Sequence, residues 1–408
     1  MNEFNVDFHI HSRFSGGTSD KMVLPLIAEH AAEKGLHLVG TGDATHPGWI
    51  KHMRDNLSES SAGTYSIKGS ETKFLVTAEI EDARRVHHVI LLPSISAAEN
   101  FSKNIGKHSV NIASDGRPNV RLDGAEIVDA ASEVGALVGP AHAFTPWTAV
   151  YKEYGSLAEC YQDNLGKVKF LELGLSADSD MADRIEELSD VVFLSNSDCH
   201  SPQPHRLGRE FNRLKLKELS FPEIVKALER SGGRKFTLNV GLNPLEGKYH
   251  VTACSRCYLK FTPQDALSLK RRCPECKGII KRGVTDRIDE LATWDVAHHP
   301  KHRPPYVRIL PLAEVISLAL GVSTLTSKRI QDKWRMLVDE FETEINVLVD
   351  ADIVEVKRFD PKVGAVIEKF RAGRIRYVAG GGGKYGKPTL SGEKDEYWGI
   401  GQKKIGDY

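Results

Sequence analysis

Two histidines one residue apart, His9 and His11, open this 408-residue sequence, and an aspartate and a histidine with the same spacing, Asp198 and His200, stand some way downstream. Between them lie Gly42-Asp43-Ala44-Thr45-His46, Ala78-Glu79, His87-His88 and Ala141-His142. Imidazole and carboxylate together favour zinc or manganese over magnesium. Clustered divalent ions on such donors activate water and neutralise phosphoryl oxygens, which is the chemistry of phosphoester hydrolysis. A lone histidine at a strand end is more often a hydrogen-bonded structural residue. Here five segments each bring His, Asp or Glu to a strand end, and leaving such groups buried without partners would cost about 1–3 kcal/mol each. Shared coordination removes that cost.

A second constellation is Cys254-x-x-Cys257 followed, after fifteen residues (258–272), by Cys273-x-x-Cys276. This is zinc-ribbon spacing, and four thiolates close a tetrahedral site with no open position, so one structural zinc is expected. Lys270, Arg271, Arg272, Lys277, Lys281 and Arg282 surround the second knuckle against Glu275 alone. Such a patch suits contact with a phosphate backbone, at a distance from the barrel metals, and equally suits a solvated face. Lys384 follows four consecutive glycines, 380–383, where backbone N–H groups can approach phosphate.

These residues need elements to hold them. Over residues 1–240, apolar runs at 4–10, 36–41, 74–80, 88–92, 137–140, 168–173, 191–195 and 235–240 alternate with helix-like segments at 23–34, 125–134, 181–188 and 222–228. The runs are apolar throughout, which predicts parallel strands buried on both faces in an α/β barrel or doubly wound sheet. Parallel barrels gather active-site residues at strand carboxyl ends. Alternate residues of a strand share a face, so His9 should face the same space as His11, and Asp198 the same space as His200. The expected division is a barrel over 1–240, the ribbon over 241–288, a connector and helical domain over 289–378, and a glycine-rich tail over 379–408.

Composition narrows the class. Fifty-five basic and fifty-five acidic residues balance, so no overall charge argues for a nucleic-acid partner. The start carries no basic stretch leading into an apolar run, and no run approaches the ~18 residues of a membrane span. A cytoplasmic protein is expected, with no membrane partner. Six cysteines in so long a chain, four of them in C-x-x-C pairs, read as metal binding in a reducing compartment rather than as a disulfide scaffold.

The H-x-H opening, the A-E step, the H-V-I-L-L segment, the A-H step and the closing D-x-H resemble, in order, those of the polymerase and histidinol phosphatase (PHP) family of metal phosphoesterases. The resemblance implies a distorted (β/α)7 barrel holding two to three divalent ions (zinc, manganese or magnesium). By position, His9, His11, Glu79 and Asp198 would hold the first ion. Glu79 would bridge to a second on His88 and His142, and Asp43 and His200 would hold a third. Gly16-Gly17 departs from the family's usual Asp or His, which leaves the third site incomplete. His46 and His87 are expected as neighbours rather than ligands.

A PHP barrel followed by a four-cysteine ribbon, a segment with Arg303-Pro304-Pro305-Tyr306 and a Gly-Gly-Gly-Lys-Tyr-Gly stretch resembles the endonuclease Q family over nearly the whole chain. That implies a DNA-repair endonuclease cutting on the 5′ side of a deaminated base (uracil, hypoxanthine, xanthine) or an abasic site. Damaged DNA would be its partner, and Arg271, Arg272, Lys277, Lys281, Arg282 and Lys384 would meet the nucleic acid. An extruded base would need flat walls. Trp49 and Trp147 follow the loops bearing Asp43 and His142, although packing loops onto a barrel is the commoner role of tryptophan. A phosphatase for small monoesters would leave the ribbon and tail without use. A non-catalytic DNA-binding barrel would leave the ligand set without use.

Overall fold

The computed structural model describes residues 1–390 and the backbone of the short strand Tyr397–Trp398. Seven strands make a ring: Asn2–Asp7, Leu38–Gly40, Lys73–Glu81, His87–Leu92, Leu137–Pro140, Phe170–Glu172 and Val192–Leu194. The first three are parallel neighbours, and so are the sixth and seventh. Ala143 N–H donates to Glu172 O (2.9 Å) between the fifth and sixth. Beyond the end of the first strand, Asp198 N–H donates to His9 O and His11 N–H to Cys199 O (3.0 Å each), which closes the ring.

The barrel is not all parallel. The fourth strand runs antiparallel to both the third and the fifth. Only residues 82–86 join it to the third strand, too few for the crossover of a dozen or more residues that a parallel pair needs. A hairpin is the outcome, and Asp82 Oδ1 accepts both Arg84 N–H and Val86 N–H (2.8 Å each) to turn the corner. The reversal puts the amino end of the fourth strand beside the carboxyl ends of the others.

Alternation along the strands layers the barrel. Val6, Phe8, Leu38, Leu75, Val89, Leu91, Ala141, Phe170, Val192 and Leu194 form one apolar cluster inside. The third strand climbs from Leu75 through Thr77 to Glu79, the fourth descends from His87 through Val89 to Leu91, and the sixth passes from Phe170 to Glu172. Residues of opposite parity, such as Val76, Ala78, Ile90 and Phe193, join the outer core under the helices. Helix Leu24–Lys34 buries Leu24, Ile27, Ala28 and Ala31 there, at the spacing of one helical face.

Several elements lie outside the sequence expectation. Strand Phe211–Leu216 pairs antiparallel with the first strand, and Lys235–Gly241 pairs with it in turn, so residues 235–240 form a flank rather than a barrel stave. Tyr306–Arg308, within the expected connector, adds a parallel strand to that flank. The helical unit contains Leu312–Leu320, Lys328–Phe341, Ile353–Phe359 and Pro361–Arg371. It is bolted to the barrel by the buried Lys34–Glu344 pair (2.6 Å), and Glu344 also accepts Trp334 Nε1–H (2.6 Å) and Leu312 N–H (3.0 Å).

The ribbon is three two-residue strands, Ala253–Cys254, Lys260–Phe261 and Ile280–Lys281, over a small core of Cys254, Phe261, Ala266, Cys273 and Ile280. Its following helix, Val284–Leu291, is tied to the barrel by Arg287, whose guanidinium donates to Tyr151 O (2.7 Å) and Tyr154 O (2.9 Å). The glycine stretch is not a separate tail: Val251 N–H donates to Gly380 O (3.0 Å) and Gly383 N–H to Lys248 O (2.9 Å). Tyr397–Trp398 then pairs in parallel with Lys260–Phe261. Residues 391–396 and 399–408 of the expected tail lie outside the described residues. Among the described residues, no helix is long and apolar enough to cross a membrane.

Candidate metal centre and nucleic-acid interface

His9 Nδ1–H donates to Glu172 Oε2 at 2.8 Å, which turns Nε2 into the barrel mouth. Among the described residues that nitrogen is buried with no hydrogen-bond partner, 3.7 Å from Glu79 Oε1 and 3.8 Å from Asp198 Oδ1. His11 is held the same way by Asp43, Nδ1 to Oδ1 at 3.0 Å, so its Nε2 reaches Asp198 Oδ1 at 3.1 Å and Glu79 Oε2 at 3.3 Å. Glu79 Oε1 also meets His87 Nδ1 at 2.9 Å and His142 Nε2 at 3.1 Å. Three groups, His9/His11/Glu79, His11/Asp198/His200 and Glu79/His87/His142, each bring one donor atom per residue within 4.8 Å of the others. An orphaned, buried imidazole nitrogen facing two carboxylates is a donor set that fits a divalent cation.

The electrostatics agree. Burial alone would depress His9 and His11, yet Glu172 and Glu79 beside the one, and Asp43 and Asp198 beside the other, raise both well above the ordinary imidazole range. Burial alone would raise the carboxylates, yet the charges of His87 and His9 hold Glu79 well below its usual value, and the His11 hydrogen bond does the same for Asp198. A divalent cation bound among these carboxylates would compete with protons for the same imidazole nitrogens. Three residues of the site, Asp43, His142 and Asp198, also hold left-handed backbone conformations (φ 50°, 28° and 45°). Non-glycine residues adopt these at a cost of about 1–3 kcal/mol, and such strain gathers at functional sites.

His9, His11, Glu79, His142, Asp198 and His200 are thus brought together. His88 is not. Neighbours on a strand face opposite ways, so with His87 turned inward His88 points out, Nδ1 to Tyr161 Oη at 2.9 Å and Nε2 to Asp82 Oδ2 at 3.3 Å. His87 takes the place expected for His88. The Asp82/His88/Cys160 group also has ligand spacing, but both His88 nitrogens and both Asp82 oxygens already have partners. Asp43 stands behind His11 instead of lining the cluster, because its oxygens accept from His11 and Ser15 (3.0 Å each) and from Ser12 N–H and Oγ–H (2.6 Å each). His46 caps helix Pro47–Asn56 by accepting Gly48 N–H (3.1 Å).

The tryptophans part company. Trp49 is wholly buried, stacks on His52 and donates Nε1–H to Thr41 O (3.2 Å), so it packs a loop and offers no free face. Trp147 is 48% exposed. It borders a cavity of about 350 Å³ whose walls include His87, His142, Asp198, Arg117, Tyr249 and Tyr385. Sequence reasoning missed Glu172, which ends the sixth strand as Glu79 nearly ends the third, and Arg117, which no motif marks.

In the ribbon, Cys254 Sγ and Cys276 Sγ lie 3.4 Å apart and Cys257 Sγ and Cys273 Sγ 3.6 Å, with all four within 4.8 Å. These separations are far beyond a disulfide and suit thiolates around one zinc ion. The Gly278 N–H, followed by the neighbouring thiols, lowers the Cys276 thiol to about 7. Arg271, Lys281 and Arg282 line a second cavity of about 410 Å³ that also has Trp147 in its wall. Lys281 Nζ stands 4.6 Å from the Trp147 ring. The basic face therefore adjoins the end of the barrel that carries the donor cluster, where the sequence placed it at a distance. The ribbon's attachment through Arg287 draws it there. Arg282 is paired with Glu290, Lys277 Nζ–H donates to Pro274 O (3.0 Å), Arg272 is exposed, and Lys384 Nζ lies 5.7 Å from the Tyr258 ring.

Known proteins share this architecture. A family model described as the MJ0043 C-terminal domain matches residues 311–374. The uncharacterized protein YqxK of Bacillus subtilis is 32% identical over 410 residues, covering 95% of this chain and 99% of its own length. The uncharacterized protein MJ0043 of Methanocaldococcus jannaschii is 46% identical over 260 residues, 62% of this chain, and the match spans only 32% of that longer relative. The crystal structure of the lesion-specific endonuclease PfuEndoQ from Pyrococcus furiosus matches with a TM-score of 0.91 and 49% identity, covering 96% of each chain. That of endonuclease Q in complex with a 27-mer duplex substrate with an abasic lesion at the active site matches with a TM-score of 0.90 and 48% identity over 100% of both chains. The likeness runs through barrel, ribbon and helical unit alike, and the chain belongs to the endonuclease Q family.

Proposed function

We propose that the protein is a metal-dependent DNA-repair endonuclease that hydrolyses the phosphodiester on the 5′ side of a deaminated base (uracil, hypoxanthine or xanthine) or an abasic site. The observation that carries this reading is a juxtaposition. The donor cluster opens into the cavity bordered by Trp147, and the same ring borders the basic cavity of the ribbon. A cluster of metal-type donors, an exposed aromatic ring and a basic face thus border two cavities joined at Trp147, an arrangement that supports a nuclease acting on an extruded nucleotide.

In this reading His9, His11, Glu79 and Asp198 would hold one ion, Glu79, His87 and His142 a second, and His200 with Asp198 would face a third, while the four cysteines would hold a structural zinc. Bound divalent ions supply an activated water and charge neutralisation for the phosphoryl group. The chain's own residues prepare that chemistry. Glu172 holds His9 and Asp43 holds His11, each through Nδ1, so that both present Nε2 to the cluster. Glu81 holds His87 through Nε2 (3.1 Å) and leaves Nδ1 to face inward. Arg271 and Lys281 can take flanking phosphates, and Trp147 offers a face to a base out of the stack.

The test is cleavage of end-labelled duplexes bearing one uracil, hypoxanthine, xanthine or abasic site, with manganese, magnesium or zinc. A single nick 5′ to the lesion, absent from undamaged duplex, is the expected result. Hydrolysis of small phosphate monoesters without nicking would replace the nuclease reading with that of a phosphatase.

A further inference from the structure

Arg117 sits at the edge of the cluster on a loop held by one bond within itself and two to other elements. Asp115 Oδ1 accepts Arg117 N–H (3.0 Å), Gly116 N–H donates to Phe14 O (3.0 Å), and Glu81 N–H donates to Pro118 O (3.0 Å). Gly116 lies flush on the His11–Asp43 pair, where any Cβ would collide with Asp43 Oδ2. The loop is thereby packed directly against the carboxylate that holds His11.

From this support the guanidinium reaches Glu79 Oε2, with Nη1 at 3.3 Å, and its side chain stays 27% exposed on the cavity wall beside His87, His142 and Asp198. Arginine has five N–H donors in a rigid fork. Among the described residues only Glu79 takes a side-chain hydrogen bond from it, so donors remain for the cavity. Glu79 does not need the arginine as a partner, since nitrogens of His11, His87 and His142 already lie within 3.3 Å of that carboxylate. A fork with free donors, held beside a hydrolytic centre and facing the space a substrate must enter, matches the oxygens of a phosphoryl group.

We propose that Arg117 is a catalytic residue that binds a non-bridging oxygen of the phosphodiester being hydrolysed and stabilises the charge that builds there. The guanidinium remains protonated throughout and transfers no proton. The proposal rests on the phosphoester-hydrolysing reading of the cluster, not on which lesion is cut.

The experiment compares wild type with Arg117→Ala and Arg117→Lys. Four measurements are made: metal content, calorimetric binding of inorganic phosphate to the metal-loaded protein, affinity for an abasic duplex, and single-turnover cleavage of that duplex. All three proteins should carry the same metals. In Arg117→Ala, phosphate should bind about tenfold more weakly and cleavage should slow by about 10²–10³-fold, the loss typical of one removed transition-state donor. Duplex affinity should change by less than about threefold, since phosphate contacts elsewhere dominate it. Added guanidinium should restore part of the rate to Arg117→Ala and leave wild type unaffected, an effect a structural counter-ion would not show. Lysine should recover part of the loss. Unchanged phosphate affinity or cleavage in Arg117→Ala overturns the proposal, and so does a rate that merely follows lost metal without guanidinium rescue. If wild type fails to nick lesion DNA yet binds phosphate through Arg117, the lesion-nuclease reading falls and the assignment of Arg117 stands.

Discussion

Glu172 is wholly buried and takes three hydrogen bonds, from His9 Nδ1–H and Asn196 Nδ2–H at 2.8 Å each and from His142 N–H at 3.1 Å. It thereby fixes two members of the cluster at once, one through its ring and one through its backbone. Glu172→Gln keeps the shape but swaps one acceptor oxygen for a donor NH2. At least one of the three N–H groups must then face another donor, and an unsatisfied buried group costs about 1–3 kcal/mol. Part of that cost falls on the fold and part on the orientation of His9. Loss of the carboxylate behind a metal-binding histidine typically weakens metal affinity by about 10–100-fold, or about 1.4–2.7 kcal/mol. Chelator competition on wild type and variant, with circular dichroism to verify the fold, reads this directly. The ribbon zinc serves as an internal control that should not change. A variant whose barrel affinity stays within twofold of wild type would refute the reasoning, because His9 would then be oriented without Glu172.

The swap of neighbouring histidines makes a paired test: His87→Ala should lose barrel metal and cleavage, whereas His88→Ala should keep its metal and lose about 1–3 kcal/mol of stability by stranding Asp82 and Tyr161. Denaturant titration and metal analysis separate the two, and equal metal loss in both would reject the assigned facing. Cys254→Ala should release one zinc per chain and loosen the ribbon strands while the barrel ions remain, since thiolate and histidine sites share no ligand; elemental analysis showing both sites emptied would contradict their independence. Reversing Arg271 and Arg272 to glutamate should weaken duplex binding and lower the salt slope by about one for each phosphate no longer neutralised, with hydrolysis of a small chromogenic phosphodiester nearly unchanged. An unaltered slope would remove the ribbon from the interface.

How much of this could be read beforehand depended on distance along the chain. The four cysteines were legible because both knuckles are local and the spacing of a ribbon is short. The pairs His9/His11 and Asp198/His200 were legible for the same reason, and the distances to Glu79 and Asp198 bring them to one place. Asp43 could not be judged that way. Its partners lie 28–32 positions off, and only when Ser12, Ser15 and His11 converge on its oxygens does it become the support of a cluster histidine. Trp49 and Trp147 looked alike as residues following a ligand loop. The first opens helix Pro47–Asn56 on its inner face, and the second sits on an irregular segment with no face to hide in. Arg117 had no signal at all, since its place comes from loop contacts.

The exchange of His88 for His87 had a cause that was already present in the sequence. Parallel strands need a crossover, and residues 82–86 cannot supply one, so the fourth strand had to come back as a hairpin. In the pairing that follows, His87 stands opposite Glu81 and His88 opposite Ile80. Directly opposed residues in an antiparallel pair share a face. Ile80 belongs to the outer core and Glu79 and Glu81 to the inner face, so His87 is inward and His88 outward by register alone. The same parity rule places Glu172 two residues beyond the inward Phe170. Strand alternation therefore does two jobs in this barrel: it fills the interior with Leu75, Val89, Leu91 and Phe170, and it dictates which side chains can become ligands where each of those rows reaches the mouth.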